Sequence, residues 1–218
     1  HSIKSKSVNR KTGDMVGVYI LPSDKSPTQS IKTKTDSAQC GDCLLKGILC
    51  YLNPVYLNNI WRSAKNLKVS KIIPTFKKAV RFGVYGDPAF IPIKTVESIA
   101  EKSAKGFTGY THQWHKASKK YSRFFMASID NLMAENQKCT SKELKERANL
   151  KGYRTYRIIK EESEILEDEI LCPYTTHQTQ CNECLLCNGT YKGKNRKNIA
   201  IKIHGPQNKI KTYLKTKS

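Results

Sequence analysis

The chain has 218 residues, 38% hydrophobic and 26% charged, a balance typical of a globular protein rather than a disordered polar chain. Lys and Arg outnumber Asp and Glu by 39 to 18, a formal net charge of +21. We therefore expect an anionic partner, nucleic acid first, although a lysine-rich surface that serves only solubility is the simpler alternative. No apolar run approaches the roughly 18 residues of a membrane span, so we expect no membrane contact and a cytoplasmic location.

The charge and polarity of the chain vary along its length. An acidic run, EESEILEDE, occupies 161–169 and indicates a solvated face or loop, whereas no acidic residue follows Glu183. These changes predict a polar N-terminal segment with a first strand over 1–35, a cysteine-rich α/β domain over 36–206 and a loosely held basic tail over 207–218. The polar stretch 23–39 is predicted to be a loop.

Short β-branched or aromatic runs alternate with amphipathic stretches along most of the chain. The predicted strands are 16–21, 79–87, 106–111, 124–129, 153–159, 169–172 and 198–205. The predicted helices are 53–67, 91–104 and 141–152, the last with a serine followed by a glutamate at its start. This alternation predicts an α/β fold with a mostly parallel sheet or a partial (β/α) barrel.

Residues that can carry chemistry follow several of the predicted strands. In parallel α/β folds the ligand site lies at the carboxyl ends of the strands. We therefore predict catalytic roles for Asp87, His112, Asp130 and His204, and cofactor binding by Tyr85, Gly86 and Gln113. Each has a plainer alternative, because Asp beside Pro commonly anchors a turn and a single histidine is most often structural.

Seven of the eight cysteines lie in two short windows. In the second window Cys172, Cys181, Cys184 and Cys187 place four thiols within 16 residues. The CxxCxxC spacing lets successive sulfurs converge on one centre and favours a [4Fe–4S] cluster, with a zinc ion held by four cysteines as the alternative. Disulfides are the less favoured interpretation, since CxxC pairs without a secretory signal more often bind metal.

The first window, Cys40, Cys43 and Cys50, has only three cysteines. Three ligands leave a metal or cluster with one open position, which makes it reactive. Alternatively a histidine, His112 or His204, or a cysteine of the second window completes the site, or both windows build one shared centre. Cys139 lies outside both windows and is predicted to be a lone thiol.

Seven motifs together resemble, in the same order, a family of phage- and plasmid-borne cysteine-cluster proteins. The resemblance covers about residues 36–206 and implies a mobile-element protein in the cytoplasm of a bacterial host, without implying a particular activity. The motifs are CGDC…CY (40–51), RFGVYGDP (81–88), TGYTHQW (108–114), ASID (127–130), GYRTYR (152–157), CP…CNECLLCNG (172–189) and IKIHG (201–205).

The order of the elements is also similar, more distantly, to the radical S-adenosylmethionine barrel, in which a three-cysteine loop after the first strand binds a [4Fe–4S] cluster. Here a strand at 16–21 precedes the first window, and Cys50-Tyr51 is similar to the end of that loop. The spacing is C-x2-C-x6-C in place of the usual C-x3-C-x2-C. At the level of the fold, the resemblance implies redox or radical chemistry with S-adenosylmethionine as a cofactor.

Three classes of function follow from these observations. The first is a metal-cluster protein with one or two [4Fe–4S] clusters, a radical-SAM-like or redox enzyme acting on or near nucleic acid. The second is a zinc-stabilised DNA- or RNA-binding protein without catalysis. The third is a nuclease that uses Asp87, Asp130, His112 and His204 around a hydrolytic metal. It ranks last because carboxylates are few and no known nuclease spacing occurs.

Overall fold

The structure, a computed structural model, describes residues 2–4, 10–33, 35, 54–66, 72–129, 139–191, 197–204 and 207–215. Within these residues the strands are β1 (Ser2–Lys4), β2 (Val16–Tyr19), β3 (Val80–Tyr85), β4 (Phe107–Thr108), β5 (Tyr110–Thr111), β6 (Met126–Ile129), β7 (Thr155–Ile159), β8 (Glu169–Leu171) and β9 (Asn198–Lys202). The α-helices are α1 (Pro27–Lys32), α2 (Pro54–Lys65), α3 (Ile93–Glu101), α4 (Ser141–Leu150), α5 (Pro173–His177), α6 (Cys181–Cys184) and α7 (Gln207–Lys215).

The strands form two sheets that share one stretch of chain. The first sheet has the order β1-β2-β3-β4, in which only β1 is antiparallel to its neighbour, and the second has the fully parallel order β5-β6-β7-β9-β8. Strand β4 pairs with β3, and β5, which starts two residues after β4 ends, pairs with β6. The prediction of an α/β fold with mostly parallel strands is confirmed.

Alternate residues of a strand point to opposite sides of its sheet. In the second sheet the residues on both sides are buried. On one face the strand residues pack against helix α4, and this cluster contains Ala127, Ile129, Leu144 and Ala148. On the other face they pack against residues 172–189, called here the cysteine segment, and this cluster contains Met126, Tyr156, Cys172, Cys187, Ile199 and Ile201. The cysteine segment therefore takes the place that a crossover helix usually has on a parallel sheet.

The first sheet packs against helix α3, and aromatic rings fill much of the space between the sheets. Val96 and Ile99 of the helix are buried with Phe82 of β3 and Phe107 of β4. The rings of Phe82 and Phe107 meet edge to face with their centroids 5.7 Å apart, a favoured arrangement for buried aromatic pairs.

Helix α4 begins where the sequence predicts it, with a reciprocal cap. The Thr140 hydroxyl accepts a hydrogen bond from the Glu143 amide, and the Glu143 carboxylate accepts one from the Thr140 amide. These two bonds satisfy amides that have no partner inside the helix.

Three predicted irregular or solvated stretches contain elements or contacts that their sequences do not reveal. Helix α1 lies inside the predicted loop 23–39, because Ser26 and Gln29 cap it and Pro27 occupies its first turn. Helix α7 lies in the tail predicted to be loosely held. Glu169 ends the acidic run predicted to be solvated, yet it is buried and pairs with Arg157.

None of the helices in the described part of the chain has the length and apolar character that crossing a bilayer requires.

Candidate metal centre

The four cysteines of the second window line one pocket. Cys172 follows β8, Cys181 and Cys184 are the first and last residues of α6, and Cys187 lies three residues further on. All four are free thiols, with Cys172 and Cys187 buried and the other two half-buried. The structure therefore brings together the four side chains for which the sequence predicts a common centre.

The turn after α6 aims a backbone donor at one of the sulfurs. Leu185 adopts a left-handed conformation with φ +52°, which reverses the chain between Cys184 and Cys187. The Leu186 amide then lies close to the Cys184 sulfur and acts to lower the pKa of that thiol. Hydrogen bonds to the sulfur atoms are one of the means by which a protein tunes an iron–sulfur centre.

Two tyrosines, the partly buried Tyr110 and the buried Tyr156, lie beside the cysteines. The Tyr110 hydroxyl lies close to the Cys187 sulfur and acts to lower the pKa of that thiol, and the rings of Tyr110 and Tyr156 lie 4.5 Å apart between centroids. Burial, and then the Cys187 thiolate, hold the pKa of both phenols well above the ordinary value. Both hydroxyls therefore stay neutral at physiological pH and can act as hydrogen-bond donors.

Lys11 places a cation beside the cysteine pocket. Its Nζ donates to the Tyr156 hydroxyl at 3.1 Å and lies 5.7 and 5.8 Å from the ring centroids of Tyr156 and Tyr174. Burial lowers the pKa of Lys11, while Cys172 and Cys181 in thiolate form would raise it. An ammonium in this position offsets the negative charge that several thiolates bring into one buried site.

Burial also governs the pKa of the cysteine thiols in this pocket. Burial raises the pKa of Cys187, and the neighbouring Cys172 and Cys181 raise it further. Burial also raises the pKa of Cys181 and Cys184, the first being opposed by Lys11 and the second by the Leu186 amide. These cysteines would therefore repel one another as thiolates, and a nearby cation or a bound metal would offset that repulsion.

Arg154 ties the cysteine segment to the sheet. Its buried guanidinium donates to the carbonyls of Leu186 and Gly189, each at 2.8 Å, and to the carbonyl of Lys197 at 2.6 Å. Arg154 directly precedes β7, so the anchor lies at the amino end of that strand. Planar guanidinium donors suit such convergent carbonyls better than an ammonium does.

Three further backbone contacts anchor the segment, and they too involve residues that precede strands. The Gly109 amide, just before β5, donates to the Cys187 carbonyl at 2.8 Å. The Thr190 amide donates to the Ser122 carbonyl ahead of β6 at 3.1 Å, and the Cys181 amide donates to the Lys11 carbonyl ahead of β2 at 3.0 Å. Residues 181–190 thus lie across the amino ends of the strands.

Gly109 is required where the two sheets meet. A Cβ at this position would lie 2.7 Å from the Phe125 ring and 3.2 Å from the Phe82 Cβ. The absence of a side chain lets β4 and β5 pass close to the aromatic core while the amide between them holds the cysteine segment.

Asp87 and its neighbours form a separate cluster at the opposite ends of the strands. Asp87 is buried and accepts hydrogen bonds from the Ala89 amide at 2.9 Å, the Thr111 hydroxyl at 2.7 Å and the His112 amide at 2.7 Å. A longer bond of 3.3 Å comes from the Gln113 amide. These contacts hold the turn after β3 against the turn after β5, which favours the turn-anchor alternative for Asp87.

The other predicted cofactor-binding residues surround this cluster. Tyr85, at the end of β3, and Gln113 are buried, and His112 is half-buried. Gly86 has φ +77°, a left-handed conformation that glycine adopts without strain. The structure therefore brings together five predicted residues, Tyr85, Gly86, Asp87, His112 and Gln113.

His204 does not join the cluster around Asp87, because its contacts are with other residues. It is exposed, its ring centroid is 6.3 Å from that of Tyr174, and its Nδ1 is 3.0 Å from the Lys202 carbonyl. Partial burial and then the Lys11 ammonium hold its pKa below the ordinary value. Its neighbours thus belong to the cysteine pocket.

The remaining predicted residues, Cys40, Cys43, Cys50 and Asp130, lie outside the described residues. Cys139 is half-buried against the cluster of Trp114 and helix α4, away from the cysteine segment.

The donor set suits a metal in type and number, but the side chains are not arranged around a point. Within the described ranges, no three His, Cys, Asp or Glu side chains have the arrangement of a metal site. Four cysteines are nevertheless the usual complement of both iron–sulfur and structural zinc sites. Binding would require the four side chains to turn toward a common centre inside the pocket that they already line.

Sequence reasoning missed Lys11, Arg154, Tyr110 and Tyr156. The two tyrosines and Arg154 lie within the motifs TGYTHQW and GYRTYR, so a signal existed without an assigned role. Lys11 is one of many lysines in a polar stretch, and nothing in its local sequence separates it from the others.

Comparison with known proteins returned no match among protein-family models, curated proteins or solved structures.

Proposed function

We propose that this chain is a metalloprotein in which Cys172, Cys181, Cys184 and Cys187 hold a metal centre, an iron–sulfur cluster in preference to zinc. The observation that carries the proposal is the single pocket lined by all four cysteines. The Leu186 amide supports it because it lies close to the Cys184 sulfur and favours the thiolate, and the CxxCxxC spacing supports the preference for a cluster.

A centre with four protein ligands has no open coordination position, so its role in this proposal is structural or electron-transferring. Lys11 would offset its negative charge, and Tyr110 would hold the Cys187 sulfur by a hydrogen bond. Both contributions stabilise thiolates in a buried place where burial alone disfavours them.

Reactivity in the same proposal belongs to the first window. Its three cysteines follow β2, and the strands β2, β3, β4/β5, β6 and β7 then come in chain order, as a partial (β/α) barrel requires. This order supports a radical-SAM-like enzyme with S-adenosylmethionine as a cofactor and an origin in a phage or plasmid. The +21 charge supports a substrate on or near nucleic acid in the cytoplasm of the host cell.

One observation favours zinc instead. The space enclosed among the cysteines is about 10 Å³, comparable to the room that a single water molecule needs. A single ion would enter with less rearrangement than a four-iron cluster, and the protein would then be a zinc-stabilised nucleic-acid-binding module without catalysis.

The test is anaerobic purification followed by the visible spectrum and by iron, sulfide and zinc analysis of one sample. The matched pair of variants is Cys181→Ser with Cys184→Ser against Cys139→Ser, whose thiol lies outside the pocket. We expect bound iron and sulfide that the double variant reduces and the control variant keeps.

Zinc without colour would replace the cluster with the structural alternative. Folded wild-type protein that contains neither metal would overturn the proposed centre. Equal metal content in wild type and double variant would move the centre to the first window, which Cys40→Ser, Cys43→Ser and Cys50→Ser would then test.

A further inference from the structure

A stretch of chain around the 3-10 helix Lys119–Arg123 is exposed and strongly cationic. Between residues 102 and 129 the sequence contains six Lys or Arg residues and no Asp or Glu. Of these, Lys116, Lys119, Lys120 and Arg123 are exposed. The positive charge is therefore displayed to solvent without an acidic neighbour in the same stretch.

The carboxyl end of helix α4 adds two more cations beside this stretch. Lys151 donates from Nζ to the His115 carbonyl at 2.7 Å, which brings the end of the helix against the loop. Arg147 lies one turn earlier on the helix and is exposed. We call the set of Lys116, Lys119, Lys120, Arg123, Arg147 and Lys151 the basic face.

The basic face is held in a fixed shape by the body of the protein. The Tyr153 hydroxyl donates to the Ser118 carbonyl at 3.1 Å, and the Tyr121 hydroxyl donates to the Ile91 carbonyl at 2.7 Å. Ser118 also caps the 3-10 helix through a bond from the Lys120 amide. A fixed arrangement of cations loses less entropy on binding a ligand than a mobile loop does.

Three of the cations on this face stand apart from carboxylates. In the part of the chain that the structure describes, no carboxylate lies within ion-pair distance of Lys119, Lys120 or Arg123. On helix α4, Glu143 caps the other end of the helix and also interacts with Arg147, one turn further on. By contrast, Lys78 and Lys145 elsewhere pair with carboxylates.

We infer that the basic face binds the phosphate backbone of a nucleic acid. A row of exposed Lys and Arg on a rigid support suits repeated phosphates, which are recognised through charge rather than base sequence. The guanidinium of Arg123 lies 5.3 and 5.5 Å from the ring centroids of the buried Phe124 and the partly buried Tyr191, so aromatic rings of the core help to hold this cation in place. Binding is expected to be insensitive to sequence and sensitive to salt.

The inference gives a location to the proposed contact with nucleic acid and does not depend on the metal centre. Because Thr190 bonds to Ser122, the basic face lies next to the end of the cysteine segment. Nucleic acid on this face would therefore approach the amino ends of the strands, the side on which residues 181–190 are anchored.

The test compares two triple variants with the same change in charge. One carries Lys119→Glu, Lys120→Glu and Arg147→Glu on the basic face, and the other carries Lys77→Glu, Lys94→Glu and Lys160→Glu at exposed positions elsewhere. Binding of a labelled DNA duplex and its single strand is measured by fluorescence anisotropy across a salt series, with circular dichroism as the check of folding.

We expect the variant on the basic face to lose roughly 100-fold or more in affinity near physiological salt, since each phosphate contact contributes about 0.9 to the salt slope. Its slope should become shallower by roughly 2 to 3, while the control variant should bind nearly as wild type does.

Equal losses in both variants would overturn the basic face as the site while leaving nucleic-acid binding in place. A wild type that binds neither DNA form at low salt would overturn the contact itself. A third arm uses vesicles that contain anionic lipid. If the wild type binds these and not DNA, the face recognises a membrane surface and the inference is wrong.

Discussion

Gly189 offers the sharpest test of how the cysteine segment is held. Its φ is +59°, and a Cβ there would lie 2.4 Å from the Ser122 carbonyl oxygen and 2.8 Å from the Phe125 nitrogen. Both atoms are backbone, so neither can rotate away. Gly189→Ala therefore combines about 1–2 kcal/mol for a left-handed alanine with about 1–3 kcal/mol for overpacking.

Gly152→Ala provides a matched control. Gly152 also has a positive φ, +86°, but the nearest atom to its hypothetical Cβ is the Ser122 hydroxyl oxygen at 3.7 Å, an ordinary contact. We expect it to lose only the conformational contribution of about 1–2 kcal/mol. The difference between the two variants isolates the collision with the 122–125 backbone.

The assay is urea unfolding of both variants, with metal content measured on the same samples. We expect Gly189→Ala to lose roughly 2–5 kcal/mol of unfolding free energy and part of the bound metal, and Gly152→Ala to keep its metal. Equal losses of stability in the two variants would refute the reasoning, because the close packing of Gly189 would then have no energetic effect.

Three further predictions concern polar contacts. Arg154→Met leaves buried carbonyls without their donor, so we expect a loss of about 2–4 kcal/mol in urea unfolding; a loss no larger than that of exposed Arg62→Met would contradict the anchor. Asp87→Asn presents an amide to several donors, and we expect a similar loss of stability, whereas a purely catalytic Asp87 would leave the unfolding free energy unchanged. Burial tends to raise the pKa of Asp168, but its hydrogen bonds from Lys145 and Asn198 outweigh this and lower it. The stabilisation from Asp168 is therefore complete above the unfolded aspartate pKa of about 3.9 and is lost as pH falls through the lower folded pKa. Unfolding of Asp168→Asn and wild type at several pH values measures it, and a stability difference that does not shrink in acid would count against the pair.

The second cysteine window shows how far a local pattern can be taken. The CxxCxxC spacing of Cys181, Cys184 and Cys187 predicts convergence, because two intervening residues let successive sulfurs reach one centre. Cys172 lies further away in sequence, and it joins them because β8 pairs with β9 beneath the cysteine segment. Local spacing predicts the group of four cysteines, while strand pairing brings Cys172 to the pocket that all four line.

For the cluster around Asp87, the sequence predicted the positions of the residues but not the contacts that they make. The sequence correctly placed Asp87, His112 and Gln113 after strands, and the structure brings them together. The bonds that join them are from backbone amides and a hydroxyl to one carboxylate, which is the pattern of an anchored turn. The sequence predicted that these residues follow strands, but it did not predict which groups donate hydrogen bonds to the Asp87 carboxylate.

The sequence by itself determined the fold class and the grouping of the cysteines. Both depend on local patterns: β-branched runs that alternate with amphipathic helices, and cysteines a few residues apart. Both patterns can be recognised in the sequence without knowledge of any distant contact.

Only the tertiary structure decided what surrounds the cysteines and at which end of the sheet they are held. Lys11 reaches Tyr156 across 145 positions of sequence, and Arg154 reaches Leu186 across 32. Such pairs arise from the order and register of parallel strands, whose connections carry distant residues to one edge. The contacts of Lys11 and Arg154 depend on these distant neighbours. Charge and hydrogen bonding act through distance in space rather than along the chain, so the local sequence around each residue could not predict them.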